Sequence, residues 1–185
     1  MLRLVNAENP LEDDFAVELA SVQNGQYFDS HASDYLTEMY STAKDQGLSI
    51  ILNSWYRSIA EQRQLYEWRV NTQRSAGMIE EEVIKTTLQI VAYPGASEHN
   101  LGLTVDILDR TYSTPDTAEF ANTELGIWLK ENCAEFGFIL RYPEGKTHIT
   151  GVQFEPWHFR YVGIETAKFI KENILYLEEF LDLYS

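Results

Sequence analysis

The segment Leu103-Thr104-Val105-Asp106-Ile107-Leu108 constrains this chain most tightly, because apolar residues recur at the two-residue period of a half-buried strand. Leu103, Val105 and Ile107 share one side, which leaves Asp106 on the other. Ahead of the strand, Gly95 and the run Asn100 to Gly102 carry turn chemistry. That turn brings His99 to the strand's entrance, seven residues before Asp106. An imidazole on a loop and a carboxylate on the rigid strand behind it can converge on one metal ion. They supply two of the three protein ligands that a catalytic zinc takes. A core histidine bonded to a nearby carboxylate would have the same spacing, so spacing alone leaves both readings open.

A third ligand and a base are offered by Phe154-Glu155-Pro156-Trp157-His158-Phe159-Arg160. Residues three apart on a straight strand face opposite ways, so Glu155 and His158 share a site only if the chain breaks between them. Pro156 is expected to make that break. Elsewhere, Arg57 stands between an expected strand over 48–53 and a helix start at Ser58-Ile59-Ala60-Glu61, which has the form of a capping box. A long cation there can reach over a site; a solvent-facing Arg57 paired with Glu61 is the plainer alternative.

These motifs fit a longer pattern. Ser97-x-His99-x-x-Gly102-x-x-x-Asp106 followed by Glu155-x-Trp157-His158 resembles the paired signature of VanY-type zinc D-alanyl-D-alanine carboxypeptidases. The segments Leu4-Val5-Asn6 with Pro10-Leu11, Tyr56-Arg57-Ser58 with Glu61-Gln62, and Gly137 to Pro143 match too, and look most like the dual VanXY-type dipeptidase/carboxypeptidases. The resemblance implies one zinc ion held by His99, Asp106 and His158, with Glu155 as general base and Arg57 on the substrate carbonyl oxygen. It also implies that Gln62 and Ser97 hold the C-terminal D-residue of a D-Ala-D-Ala or peptidoglycan peptide substrate, in vancomycin resistance or wall maturation. Trp55 stands where a Gly is common, and Asn100-Leu101 replaces a common Gln-Thr pair. An L,D-carboxypeptidase trimming tetrapeptides is the alternative enzyme. A catalytically silent peptidoglycan-binding module is the alternative of another class, disfavoured because such a module has no need of Glu155. His31 and His148 match no ligand position and are read as surface or loop histidines.

The remaining chain is expected to support this centre. Residues 1–30 show no period and read as an irregular segment anchored by Leu4, Pro10, Leu11, Phe15 and Tyr27. Helices are expected from Ser33 to Gly47, from Ile59 to about Arg69 or beyond, over 79–92, and from Thr114-Pro115-Asp116 through Cys133 to Gly137. Two more are expected over 164–173 and 176–184, and strands over 138–142 and 152–154. Residues 69–93 form an insertion that reads as a lid. With no repeat and no linker, residues 1–185 are one α+β domain, a small central mainly antiparallel sheet flanked by helices, with the zinc site at the sheet edge.

A net charge of -15 disfavours nucleic acid and anionic membrane as partners, since both are bound through clustered Lys and Arg. A substrate ending in a carboxylate then needs local positive charge, which a metal ion and a well-placed Arg would supply. The single Cys133 can make no intramolecular disulfide. No stretch reaches the roughly 18 apolar residues of a membrane span. The first residues lack the pattern of a signal peptide, so the chain as written is expected to be cytoplasmic, or of the cell envelope if a leader has been trimmed.

Overall fold

The computed structural model describes residues 2–111 and 117–184. Its N-terminal segment is not wholly irregular, because β1 (Leu19–Ser21) and β2 (Tyr27–Asp29) pair as a short antiparallel hairpin. Strands of three residues are too short to show a period in sequence. The anchors also differ from expectation: Phe28, Val5 and Leu11 are buried, whereas Tyr27 and Pro10 lie at the surface. Leu4 and Phe15 are partly buried against the core.

Next come α1 (Ser33–Asp45), β3 (Ile50–Ser54), α2 (Ile59–Ser75) and α3 (Glu80–Leu88). α1 buries Leu36, Met39 and Ala43 at helical spacing and is followed by Gly47 at φ +84°. The capping box of α2 is formed: Ser58 Oγ accepts from the Glu61 amide at 3.2 Å, and the Glu61 carboxylate accepts from the Ser58 amide at 2.8 Å. α2 and α3 make a hairpin with its own buried residues, Val70, Gln73, Val83 and Thr87, in which Gln73 Oε1 accepts from both Thr86 and Thr87 at 2.9 Å.

The chain continues with β4 (Thr104–Asp109), α4 (Glu124–Asn132), β5 (Phe138–Tyr142), α5 (Thr147–Thr150), β6 (Glu155–Tyr161), α6 (Ile164–Asn173) and α7 (Leu177–Asp182). The expected helix start at Thr114-Pro115-Asp116 lies outside the described residues. Beyond it, one long helix is replaced by a 3-10 turn at Ala118–Asn122, then α4, then a second 3-10 turn at Cys133–Phe136. Thr123 explains the first interruption, because its Oγ caps α4 by accepting from the Gly126 amide at 3.0 Å. The strand expected over 152–154 is also absent; β6 begins at Glu155, and α5 occupies part of the preceding turn-rich stretch.

The main sheet runs β3-β4-β6-β5 and is antiparallel throughout. Cross-strand partners share a face, so the pairs Thr104↔Arg160 and Asp106↔His158 lie on one side and Val105↔Phe159 on the other. The Val105 side is the apolar one. There Val105, Ile107, Phe138 and Phe159 join Leu36 and Met39 of α1 and Leu125 and Leu129 of α4 in the larger core. Each such side chain contributes roughly 1.5–3 kcal/mol on full burial. That side therefore holds the fold and frees the other for polar work. α6 and α7 form a smaller apolar cluster through Ala167, Ile170, Leu177 and Phe180 with Ile139 of β5. Among the described residues no helix is long and apolar enough to cross a membrane.

Candidate metal centre

Asp106 and His158 form the last pair of the β4–β6 ladder, so the site opens where the two inner strands part, at the rim of the sheet. His99 arrives from a 3-10 turn, Glu98–Leu101, that ends at Gly102 in the left-handed region. The ligand atoms of His99, Asp106 and His158 all lie within 4.8 Å of one another. His99 Nε2 is 3.3 Å from Asp106 Oδ2, and His158 Nδ1 is 3.1 Å from Asp106 Oδ1. The two imidazoles meet edge to face at 5.2 Å.

The arrangement suits a cation. His99 Nδ1 is 2.9 Å from the Trp55 carbonyl, which can only accept, so this nitrogen carries the proton and Nε2 presents its lone pair to the centre. A lone pair facing a carboxylate repels it unless a positive charge lies between. Asp106 Oδ1 is buried without a hydrogen-bond partner, despite the nearby His158 nitrogen. Burial opposes ionisation of Asp106, yet His99 and His158 hold its carboxyl well below the usual range. Burial alone would lower His158, but Asp106 and Glu98 raise it to about 9.

Glu155 comes to the same side as His158 without the expected chain break. β6 is continuous but bulged: the step from Leu140 to Tyr142 on β5 spans Phe159 to Glu155 on β6, two residues against four. Pro156 falls within this bulge and has no N–H to leave unpaired. Glu155 Oε2 thereby stands 3.4 Å from His158 Nδ1, yet Glu155 is not part of the converging three-residue set.

Arg57 is half-buried, and burial lowers its pKa against the opposing field of Asp106. Its Nη1 donates to Gln62 Oε1 at 2.7 Å and its Nη2 to Ser54 Oγ at 3.0 Å. Gln62 is almost wholly buried and donates in turn to the Ala92 carbonyl at 2.7 Å. Ser97 is buried immediately before the His99 turn. Trp157 packs against the larger core, and His31 and His148 are exposed.

Sequence reasoning missed two contributors. In sequence Asn100 reads as a turn residue and a departure from pattern, but its Nδ2 donates to the Arg57 carbonyl at 2.6 Å and its Oδ1 accepts from the Gly95 amide at 3.2 Å. The second is Glu98, fully buried between His158, Arg141 and Arg160. A charged residue flanking a candidate ligand was the available signal.

A family model described as VanY, D-alanyl-D-alanine carboxypeptidase, matches residues 25–164. The chain belongs to the VanY family. A D-alanyl-D-alanine carboxypeptidase of Enterococcus faecalis is 41% identical over 182 residues, 98% of this chain and 65% of that protein. This VanY-family chain thus spans just under two thirds of that curated relative. The bifunctional D-Ala-D-Ala dipeptidase and carboxypeptidase VanXYC of Enterococcus gallinarum is 37% identical over 129 residues, 69% of this chain and 63% of that protein, so the VanXY likeness holds over part of the chain. Among solved structures, a mutant of the vancomycin resistance D,D-pentapeptidase VanY from a VanB-type cassette, in complex with Zn(II), superposes with a TM-score of 0.83 at 41% identity. The match covers 97% of this chain and 98% of that one.

Proposed function

We propose that this chain is a zinc D,D-peptidase domain that hydrolyses the D-Ala-D-Ala terminus of peptidoglycan precursors, as a carboxypeptidase and also as a dipeptidase. The observation that carries the reading is the placement of Glu155 beside the His99, Asp106 and His158 set but outside it. A module that only bound metal or peptide has no use for a carboxylate held there.

His99 through Nε2, Asp106 through its carboxylate and His158 through Nδ1 would hold the ion and leave a coordination position open, as catalytic zinc sites do. Zinc bound there supplies Lewis-acid polarisation of the scissile carbonyl and makes a water more acidic. Glu155 accepts the proton of the attacking water on its carboxylate and returns it to the departing amine. Arg57 directs N–H donors at the carbonyl oxygen as negative charge develops on it. Gln62 acts through Arg57, because its amide oxygen already holds that guanidinium. Ser97 contacts the C-terminal D-residue.

Incubation with D-Ala-D-Ala, with a pentapeptide ending in D-Ala-D-Ala and with a tetrapeptide, followed by assay of free D-Ala, tests the proposal. Release from the first two supports it. Release from the tetrapeptide alone establishes an L,D-carboxypeptidase, and no release from any in zinc-loaded protein establishes a binding module.

A further inference from the structure

Behind His158 lies a buried set of four charges. Glu98 Oε1 accepts from Arg141 Nε at 2.8 Å and lies 3.0 Å from Arg160 Nη1. The other edge of Arg141 donates twice to Glu178, from Nη1 at 3.0 Å and from Nη2 at 2.6 Å. Arg141, Arg160 and Glu98 are essentially without solvent exposure, and Glu178 is partly exposed at the outer edge of the set. Two guanidiniums against two carboxylates make the set neutral.

Its free corner points at the metal centre. Glu98 Oε2 and His158 Nε2 are both buried without a hydrogen-bond partner, and they face each other at 3.7 Å. This is about 0.5 Å beyond the hydrogen-bond range. Glu178 belongs to α7, beyond the residues that match the family model.

We propose that Glu98, and Glu178 acting through Arg141, are positioning residues for the metal centre: Glu98 accepts from His158 Nε2–H so that Nδ1 is presented to the ion, and Glu178 neutralises Arg141 so that Glu98 remains available. This rests on the zinc reading above. Metal-ligating histidines are held by a carboxylate or carbonyl on the far ring nitrogen, and loss of that partner weakens metal binding. Without Glu178, two guanidiniums compete for Glu98 and leave an uncompensated positive charge behind a cation site.

The test measures zinc dissociation constants by chelator competition, with apoprotein melting temperatures and the 15N signals of His158 in zinc-loaded protein. Glu98→Gln is expected to bind zinc about 10–100-fold more weakly, and Glu178→Gln, which acts at one remove, about 10-fold more weakly, the low end of such losses. In the unmodified protein His158 Nε2 should carry a proton protected from exchange, and in both variants that protection should fall. Glu135→Gln removes a surface charge paired with Lys168 and should change neither readout. A Glu178→Gln protein that melts lower but binds zinc as tightly, with His158 protection intact, makes the network purely structural and overturns the proposal. Should Glu98→Gln not fold, Glu178→Gln decides alone. An unmodified protein that hydrolyses its substrate but whose zinc affinity is unmoved in either variant overturns this inference only, whereas one that binds no zinc overturns the metal reading and this inference with it.

Discussion

Replacing Arg57 by Lys separates two roles that a cation at this position can have. The guanidinium spends Nη1 on Gln62 and Nη2 on Ser54, which fixes its plane before substrate arrives. Lys keeps the charge but gathers its donors on one nitrogen without the planar fork, so it cannot span both partners and a carbonyl oxygen in the geometry that the guanidinium provides. Loss of a transition-state donor costs about 100–1000-fold in kcat, or roughly 2.7–4 kcal/mol. The folding cost is smaller: Gln62 Oε1, in an almost wholly buried residue, loses its donor at about 1–3 kcal/mol. A domain stable by about 5–15 kcal/mol survives that, so the rate defect can be measured in folded protein. The assay is D-Ala release over a range of pentapeptide concentrations, with zinc content determined on the same sample. A defect confined to KM would instead place Arg57 on the substrate carboxylate and refute the oxyanion role.

Glu155→Ala should retain stoichiometric zinc while losing most of its turnover; metal analysis showing an empty protein would make Glu155 a ligand. His99→Ala and His158→Ala should each lose zinc and activity together, and full zinc occupancy in either variant would remove that residue from the site. Shortening the α2–α3 hairpin while retaining Tyr93 onward should depress dipeptide hydrolysis more than pentapeptide hydrolysis, because a lid closes over a short substrate but hinders one that extends outward. Equal losses on both substrates would make the hairpin structural. Burial raises the Cys133 thiol to about 12, so iodoacetamide at about pH 8.5, where a free thiol is half ionised, should label it only in denatured protein. Rapid labelling of the native state, read by mass spectrometry, would show that Cys133 is accessible.

The centre was legible in sequence wherever local chemistry sets geometry. The Ser58–Glu61 box, the alternation through Asp106 and the turn before His99 are such cases, and each forms as expected. Register is not local. Nothing in Glu155-Pro156-Trp157-His158 distinguishes a break from a bulge, because the outcome depends on which residues of β5 lie opposite. The buried charges were hidden for a related reason. Arg141 and Arg160 sit in strands whose alternation suggests that one face meets solvent, but α6 and α7 cover that face, and only tertiary structure brings Glu178 to Arg141. Trp55 departs from pattern in its side chain, whereas its contribution to His99 is a backbone carbonyl that any residue would provide and that no side-chain pattern reveals.

Because neighbouring residues of β4 and β6 serve opposite faces, the kinds of sequence change these strands tolerate are unequal. A substitution at Thr104 or Asp106 alters the polar side and leaves Val105 and Ile107 packed. A single-residue insertion or deletion exchanges the sides, turning core residues outward and ligands inward in one step. A change of length is therefore expected to be better tolerated in the α2–α3 hairpin than in these strands, because the hairpin carries its own small core and joins the site through Gln62 in the first turn of α2. Divergence in what the pocket admits can then accumulate in a helical appendage while the metal ligands stay in frame.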